Sequence, residues 1–242
     1  ILPVLATQAM LETANLKGFK PSQIIFTGDS IAYCANPDET ANLIAQSGIH
    51  AIKGNCEDAI INNSEDCGCG FEVGSQCDVL AVQWYSFCKN QISHKALDWM
   101  TNLPNEIEIN LNGFRLLCTH ATPSSMNHFI FKSNVQSLSA ELADRGYYDG
   151  YIVGHSGRPF ISKFSDKIWI NSGASGMPAN DGTDRVWYAI IESEPNGLHA
   201  QTFPLNYDYR LTKDAMLNAG LINGYDKCLE TGLWPSLDIL PQ

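Results

Sequence analysis

The chain has 242 residues, which is long enough to bury the core of one large domain or of two small ones. Its formal net charge of −11 is unsuited to sequence-independent nucleic-acid binding, so we expect no nucleic-acid partner. No apolar run approaches the roughly 20 residues that a membrane helix needs, and we expect no membrane partner either.

The first part of the chain alternates predicted helices and strands. Residues 4–17 have the periodicity of an amphipathic helix, and a second helix is predicted at 37–46. Strands are predicted at 23–27 and 49–53, and their order around a helix implies parallel pairing through a right-handed crossover. Because the sequence opens directly at the first helix, we expect that a strand belonging before it is absent from this sequence.

A polar segment rich in Cys and Gly, residues 61–77, interrupts this alternation and is interpreted as an inserted loop. Helices are predicted after it, at 78–90 and 94–102. The chain contains eight unevenly spread Cys and is large for a disulfide-dependent secreted scaffold. Mostly reduced thiols and a cytoplasmic location are therefore expected.

The second part of the chain is rich in predicted hairpins. Asn112-Gly113 between two strand-like runs is a strong hairpin signal. The order of elements predicts an α/β fold of two packed sheets with helices outside, in a single domain over 1–242 with a tail from about residue 206. The remaining predicted elements are strands at 106–110, 114–118, 149–153, 160–164, 167–170, 186–191 and 198–203, and helices at 134–145 and 211–219.

Four predicted strands each deliver a potential metal ligand at the carboxyl end. In open α/β sheets, binding sites lie outside the carboxyl ends of the strands. An acid, an amide and two imidazoles suit a divalent ion such as Mn²⁺, Fe²⁺ or Zn²⁺, and we predict a site for one or two such ions. Taken singly, each residue also has a structural interpretation as a cap, a turn residue or a hydrogen-bonded His. The predicted metal ligands are Asp29, Asn55, His120 and His155.

The motifs around these residues resemble, in order and spacing, those of the calcineurin-like metallophosphoesterases, in the compact bacterial and archaeal branch. The matching segments are 28–29, 54–57, 119–120, 154–159 and 171–176. The resemblance covers roughly residues 4–205 and implies a four-layer α/β/β/α sandwich of two mixed sheets with the metal between them. It also implies that Asp29 bridges two metals, and that Asn55, His120 and His155 complete the second metal position.

The sequence departs from that family at the ligands of one metal and at the residue that assists the leaving group. The first motif, Asp-x-His on an initial strand, is not in this sequence. Cys56 stands where the family has a His that assists the leaving group, and Gly157 stands where the last motif has its second His. This pattern suggests a mononuclear site or a site rebuilt with other ligands.

Four thiols near the motifs are candidates for such rebuilding. Cys56, Cys67, Cys69 and Cys77 could hold Zn²⁺ or an iron–sulfur cluster, although their spacing matches no standard zinc layout. Free thiols or a disulfide of Cys56 are the competing interpretations.

The predicted function is hydrolysis of a small phosphomonoester or phosphodiester by a metal-activated water. One alternative is a catalytically weakened metal-binding sensor or scaffold on the same fold. Another is a serine esterase, because segment 28–30 also resembles the opening block of the GDS-type esterases, with Ser30 as nucleophile. Nothing in the sequence indicates an oligomeric state. The residues predicted to carry phosphoester hydrolysis are Asp29, Asn55, Cys56 and His120.

Overall fold

The computed structural model describes residues 3–145, 147–164, 166–222 and 224–241. Its helices are α1 (Val4–Leu16), α2 (Pro37–Ser47), α3 (Asn55–Ile61), α4 (Gln76–Gln91), α5 (His94–Thr101), α6 (Ser139–Ala143), α7 (Tyr209–Asn218) and α8 (Tyr225–Thr231). Its strands are β1 (Ile25–Phe26), β2 (His50–Ala51), β3 (Glu106–Leu111), β4 (Phe114–Thr119), β5 (Gly150–Val153), β6 (Phe160–Phe164), β7 (Lys167–Asn171), β8 (Val186–Glu194) and β9 (Gly197–Leu205).

Hydrogen bonding divides these strands into three sheets. β1 and β2 pair in parallel, as the crossover predicted, and β8 and β9 form an antiparallel pair. The remaining strands form a mixed five-stranded sheet in the order β3-β4-β5-β7-β6. This confirms the predicted α/β class with mixed pairing, while the four-layer stacking stays a prediction. The sequence predicted two sheets, but β1 and β8 are not hydrogen-bonded to each other in the described part of the chain.

Apolar side chains cover both faces of the five-stranded sheet. Neighbouring residues of a strand point to opposite faces, and β4 shows this directly. Leu117 packs in a cluster with Leu138 and Leu142, near α6. Leu116 and Cys118 belong to a different cluster, which includes partly buried residues of β1, β8 and β9. Burial on both faces explains why β4 and β5 are almost continuously apolar.

The helices of the structure differ from the predicted ones in three places. The helix predicted at 134–145 is a 3-10 turn, Val135–Leu138, followed by the short helix α6. Helices α3 and α8 were not predicted, because each has seven residues and is too short for a clear helical period. The segment interpreted as an insertion is irregular only between the end of α3 and the start of α4.

A cavity of about 590 Å³ lies between α1, the five-stranded sheet, β1 and β8. Its lining is mostly apolar, with Ile25, Ile109, Leu116 and Ile152 among its residues. Within the described residues, no helix combines the length and apolar character needed to cross a bilayer.

Candidate metal centre

The carboxyl ends of β1, β2, β4 and β5 meet at one place in the molecule. Parallel pairing of β1 with β2, and of β4 with β5, puts the ends of each pair side by side. Asp29, His120 and His155 follow three of these strands, and each offers one ligand atom within 4.8 Å of the others. Asn55 is the first residue of α3, directly after β2, and its Oδ1 atom lies 3.0 Å from His120 Nε2. The structure therefore brings all four predicted ligands together.

His120 is held with one nitrogen directed at this cluster. Its Nδ1 atom lies 2.6 Å from the carbonyl oxygen of Thr27 and donates a hydrogen bond to it. That bond directs Nε2 towards Asn55 and towards Asp29, whose Oδ2 atom is 3.3 Å away. A His whose second nitrogen is fixed by a carbonyl is the usual arrangement of a metal-binding imidazole.

The charges of Asp29 and His120 stabilise each other in a buried place. Burial by itself would raise the pKa of the Asp29 carboxyl, but the charge and hydrogen bonding of His120 hold that pKa well below its usual range. Burial would likewise lower the pKa of His120, yet Asp29 and the Thr27 carbonyl raise it. Each group therefore favours the charged form of the other, and Nε2 of His120 faces the position that a cation would take.

His155 is the unsatisfied member of the cluster. Both of its ring nitrogens are buried, and neither meets the geometry of a hydrogen bond to a described residue, although the backbone of Asn127 is close enough to act on the ring's pKa. Burial, together with the neighbouring His120, lowers the pKa of His155 to about 3, so the ring is neutral at physiological pH. Its ring stacks on Phe129 with centroids 4.3 Å apart. Buried polar atoms are rarely left unpaired, and two on one imidazole indicate that a partner is missing.

The backbone around His155 is fixed by Asn171. His155 has a left-handed backbone conformation, with φ of 60°. Asn171 Nδ2 donates to the Gly154 carbonyl at 2.8 Å and to Ser156 Oγ at 2.9 Å, on either side of the His. The residue belongs to the motif 171–176, and the structure shows that its role is to position this loop.

Glu57 is the residue whose role the sequence reasoning missed. Its side chain is fully buried, and its Oε2 atom accepts hydrogen bonds from the backbone N–H groups of Asp29 and Gly54, both at 2.8 Å. Its Oε1 atom accepts bonds from the N–H and the hydroxyl of Ser30, both at 2.6 Å. Asp29 has φ of 65°, a costly conformation, and these bonds hold it there. The sequence feature that could have indicated this role is an acidic residue three positions after Gly54, the N-cap residue of α3.

Gly28 allows the two strand ends to approach closely. It has φ of 94°, and a Cβ atom at this position would lie 2.6 Å from His120 Nδ1 and 2.7 Å from the Gly54 nitrogen. No side chain fits between these groups, so the contact between the β1 and β4 ends requires glycine here.

Cys56 lies next to two of the predicted ligands, Asn55 and Asp29. Its side chain is fully buried and does not line the cavity at the metal cluster. Burial, together with the nearby Asp29 and Glu57 carboxylates, raises the pKa of its thiol. Its backbone N–H instead donates to Asp29 Oδ1 at 3.1 Å. The thiol lies 3.4 Å from Asn55 Nδ2, and the role of Cys56 as a proton donor stays a prediction.

The cysteine-rich segment packs behind Asn55. Cys67 and Cys69 form a disulfide, and Cys56 Sγ lies 3.9 Å from Cys69 Sγ. Asn55 Nδ2 donates to the Cys67 carbonyl at 3.0 Å, which leaves Oδ1 facing the cluster. Among the described residues, Asp29, His120 and His155 form the one group of three or more such side chains with metal-binding spacing.

Gly157 faces the C-terminal tail. A Cβ atom at this position would lie 3.5 Å from Cζ2 of Trp234, and Gly157 has φ of 69°. The resemblance placed a second His ligand here. The indole of Trp234 occupies the space next to this position, so the loss of the His coincides with a contact from the tail.

Ser30 is not placed as a nucleophile. The side chain is fully buried, and its hydroxyl donates to Glu57. A serine nucleophile needs a base and access to substrate, and the partner here is a carboxylate that already accepts three other bonds. The serine esterase alternative is therefore not supported by the geometry.

We expect Glu57→Gln to destabilise the protein by about 2–4 kcal/mol, because an NH₂ group would face backbone N–H donors that lose their acceptor. Urea unfolding measures the change. Glu65→Gln makes the same chemical change on an exposed side chain and should stay within about 0.5 kcal/mol of the parent. Equal stabilities of the two variants would show that Glu57 does not fix the Asp29 turn.

Comparison with known proteins assigns this sequence to a family. A family model described as the calcineurin-like phosphoesterase superfamily domain matches residues 6–195. An uncharacterised protein of Methanocaldococcus jannaschii is 25% identical over 206 residues, covering 78% of this chain and 78% of that protein.

Two solved structures share the fold. A metallophosphoesterase from Sphaerobacter thermophilus has a TM-score of 0.70 and 21% identity, covering 96% of this chain and 97% of that one. A hypothetical protein from Pyrococcus horikoshii has a TM-score of 0.74 and 15% identity, covering 95% of this chain and 94% of that one. These likenesses confirm the fold, and the family match confirms the resemblance carried by the motifs: the chain belongs to the calcineurin-like phosphoesterase superfamily.

Proposed function

We propose that this protein is a metal-dependent phosphoesterase that hydrolyses a small phosphorylated substrate at the Asp29 cluster. The observation that carries the proposal is the convergence of Asp29, His120 and His155 at ligand spacing, with both nitrogens of His155 buried and unpaired. Membership of the superfamily supports the same reaction class.

The donor set fits a divalent ion. One carboxylate, two imidazoles and the Asn55 amide oxygen suit Mn²⁺, Fe²⁺ or Zn²⁺. A cation would give His155 the partner that it lacks, which removes the free-energy cost of its unpaired buried nitrogens. When bound, the ion supplies Lewis acidity, which polarises the phosphoryl group and makes an attacking water acidic near neutral pH.

The chain's own contribution is to fix the ligands before the ion arrives. The Thr27 carbonyl orients His120, the Cys67 carbonyl orients Asn55, and the backbone N–H of Cys56 orients Asp29. Each ligand thus has a second contact that fixes its direction, which lowers the entropy cost of binding.

We further propose that one ion is resident. The resemblance assigns one ligand of a second ion to a His that Gly157 replaces. The contact of Trp234 with Gly157 supports a single ion, because the indole occupies the space beside the position of the missing ligand.

Loss of either imidazole should lower metal occupancy. We expect His120→Ala and His155→Ala each to weaken binding of Mn²⁺ or Zn²⁺ by more than about tenfold, measured by elemental analysis after dialysis. His94→Ala removes an exposed imidazole on α5 and should leave occupancy unchanged. Unchanged occupancy in either cluster variant would remove that residue from the site.

Turnover separates the three functional interpretations. With Mn²⁺, Fe²⁺ or Zn²⁺ added, we expect hydrolysis of a generic phosphodiester that chelation and Asn55→Ala both abolish. Ser30→Ala should retain chelator-sensitive turnover, because Ser30 only donates to Glu57. Tight metal binding without turnover would favour the sensor or scaffold. Turnover that survives chelation but is lost in Ser30→Ala would favour the esterase.

A further inference from the structure

The cavity at the metal cluster is lined by aromatic rings and carries no fixed cation. It encloses about 100 Å³. None of the described residues around it is Lys or Arg, although phosphate-rich ligands are normally met by such side chains. The aromatic lining residues are Phe26, Tyr33, Phe71, Phe129, Tyr225 and Trp234.

Two of these rings extend a stack that begins at the metal cluster. Phe129 stacks on His155, and Phe71 stacks on Phe129 with centroids 5.9 Å apart and an interplanar angle of 14°. A planar group bound next to the cluster therefore meets ring faces and edges that are already aligned.

Trp234 is brought to the same cavity by the C-terminal tail, beyond the residues that match the family. Its backbone N–H donates to Asn180 Oδ1 at 2.9 Å, and its indole Nε1 donates to the Pro178 carbonyl at 2.7 Å. Further along, Asp238 Oδ2 accepts from the backbone N–H groups of Gln76 and Cys77 at the start of α4. The tail is thus anchored on both sides of the cavity, and Trp234 is a fixed part of its wall.

The cavity offers only weak acids to protonate a leaving alcohol. The two His in its described lining, His120 and His155, are the proposed ligands. The hydroxyls of Tyr33 and Tyr225 and the thiol of Cys77 also belong to groups in the lining, and burial raises the pKa of each. An alkoxide is a poor leaving group without a proton donor, because its conjugate acid has a pKa close to that of water, about 15.7. A phenoxide, whose conjugate acid has a pKa of about 10, leaves far more easily.

These observations have one common explanation, which rests on the proposed function and names its substrate class. We propose that the substrate is an aryl phosphoester, and that Trp234 and Phe71 are specificity-determining residues that hold its ring. Water forms a bond to phosphorus and releases a proton to solvent. The bond from phosphorus to the aryl oxygen breaks, and the electron pair leaves with the aryloxide.

The lining also disfavours a polyphosphate. None of the described residues around the cavity is Lys or Arg, so several phosphate charges would have no fixed cation beside them.

Binding of a matched pair of phosphonates tests the recognition without requiring turnover. With Mn²⁺ present, calorimetry should show phenylphosphonate binding at least about tenfold more tightly than methylphosphonate. Trp234→Ala should reduce this preference to about threefold or less, while Trp234→Phe, which keeps a ring, should retain most of it. Leu233→Ala changes the exposed neighbour in the tail and should leave the preference unchanged.

A second variant covers the case in which Trp234→Ala does not fold. Phe71→Leu lies in a different segment and should also reduce the phenyl preference. Equal affinity for the two phosphonates, no binding of phenylphosphonate, or an undiminished preference in both Trp234→Ala and Phe71→Leu would overturn the inference.

Kinetics distinguish the failure of this inference from the failure of the proposed function. Turnover of phenyl phosphate without phenyl-selective binding would keep the phosphoesterase and remove the aryl site. Phenyl-selective binding without turnover of any ester would keep the aryl site and remove the phosphoesterase. If both hold, log kcat for substituted phenyl phosphates should fall steeply as the pKa of the leaving phenol rises, because the lining offers only weak acids to protonate it.

Discussion

The Glu57 carboxylate is the interaction on which the rest of the site depends. It accepts four hydrogen bonds from the end of β1 and the start of α3, and it joins two segments that are separated along the chain. These bonds help to hold the left-handed backbone of Asp29, while the N–H of Cys56 orients its side chain. The four bonds also replace the water that the buried Glu57 side chain has lost.

Partners that replace lost water also explain the pKa shifts within the cluster. Asp29 and His120 are both buried, yet each shifts the pKa of the other towards its charged form. His155 has no such partner and stays neutral. One carboxylate and two imidazoles are donors that a divalent cation can bind, and binding at His120 would release any proton on Nε2.

The C-terminal tail adds Trp234 to the wall of the cavity at the metal cluster. Trp234 covers the position at which the motif loses a His, and the same residue forms part of the aromatic wall. A side chain at position 157 would therefore contact the indole, which forms part of the aromatic wall of the cavity.

The sequence by itself determined the strands, the hairpin at Asn112-Gly113 and the order of the four ligands. These follow from apolar runs, turn residues and the rule that parallel strands deliver their carboxyl ends to one edge. The tertiary structure alone decided the parts of Glu57, Cys56 and Trp234. Their roles depend on contacts between segments far apart in sequence, and no local pattern encodes which donors surround a buried acid or which ring lies over a glycine. The short helix α3 was not predicted either, because its seven residues show no clear period and its stability comes from tertiary packing.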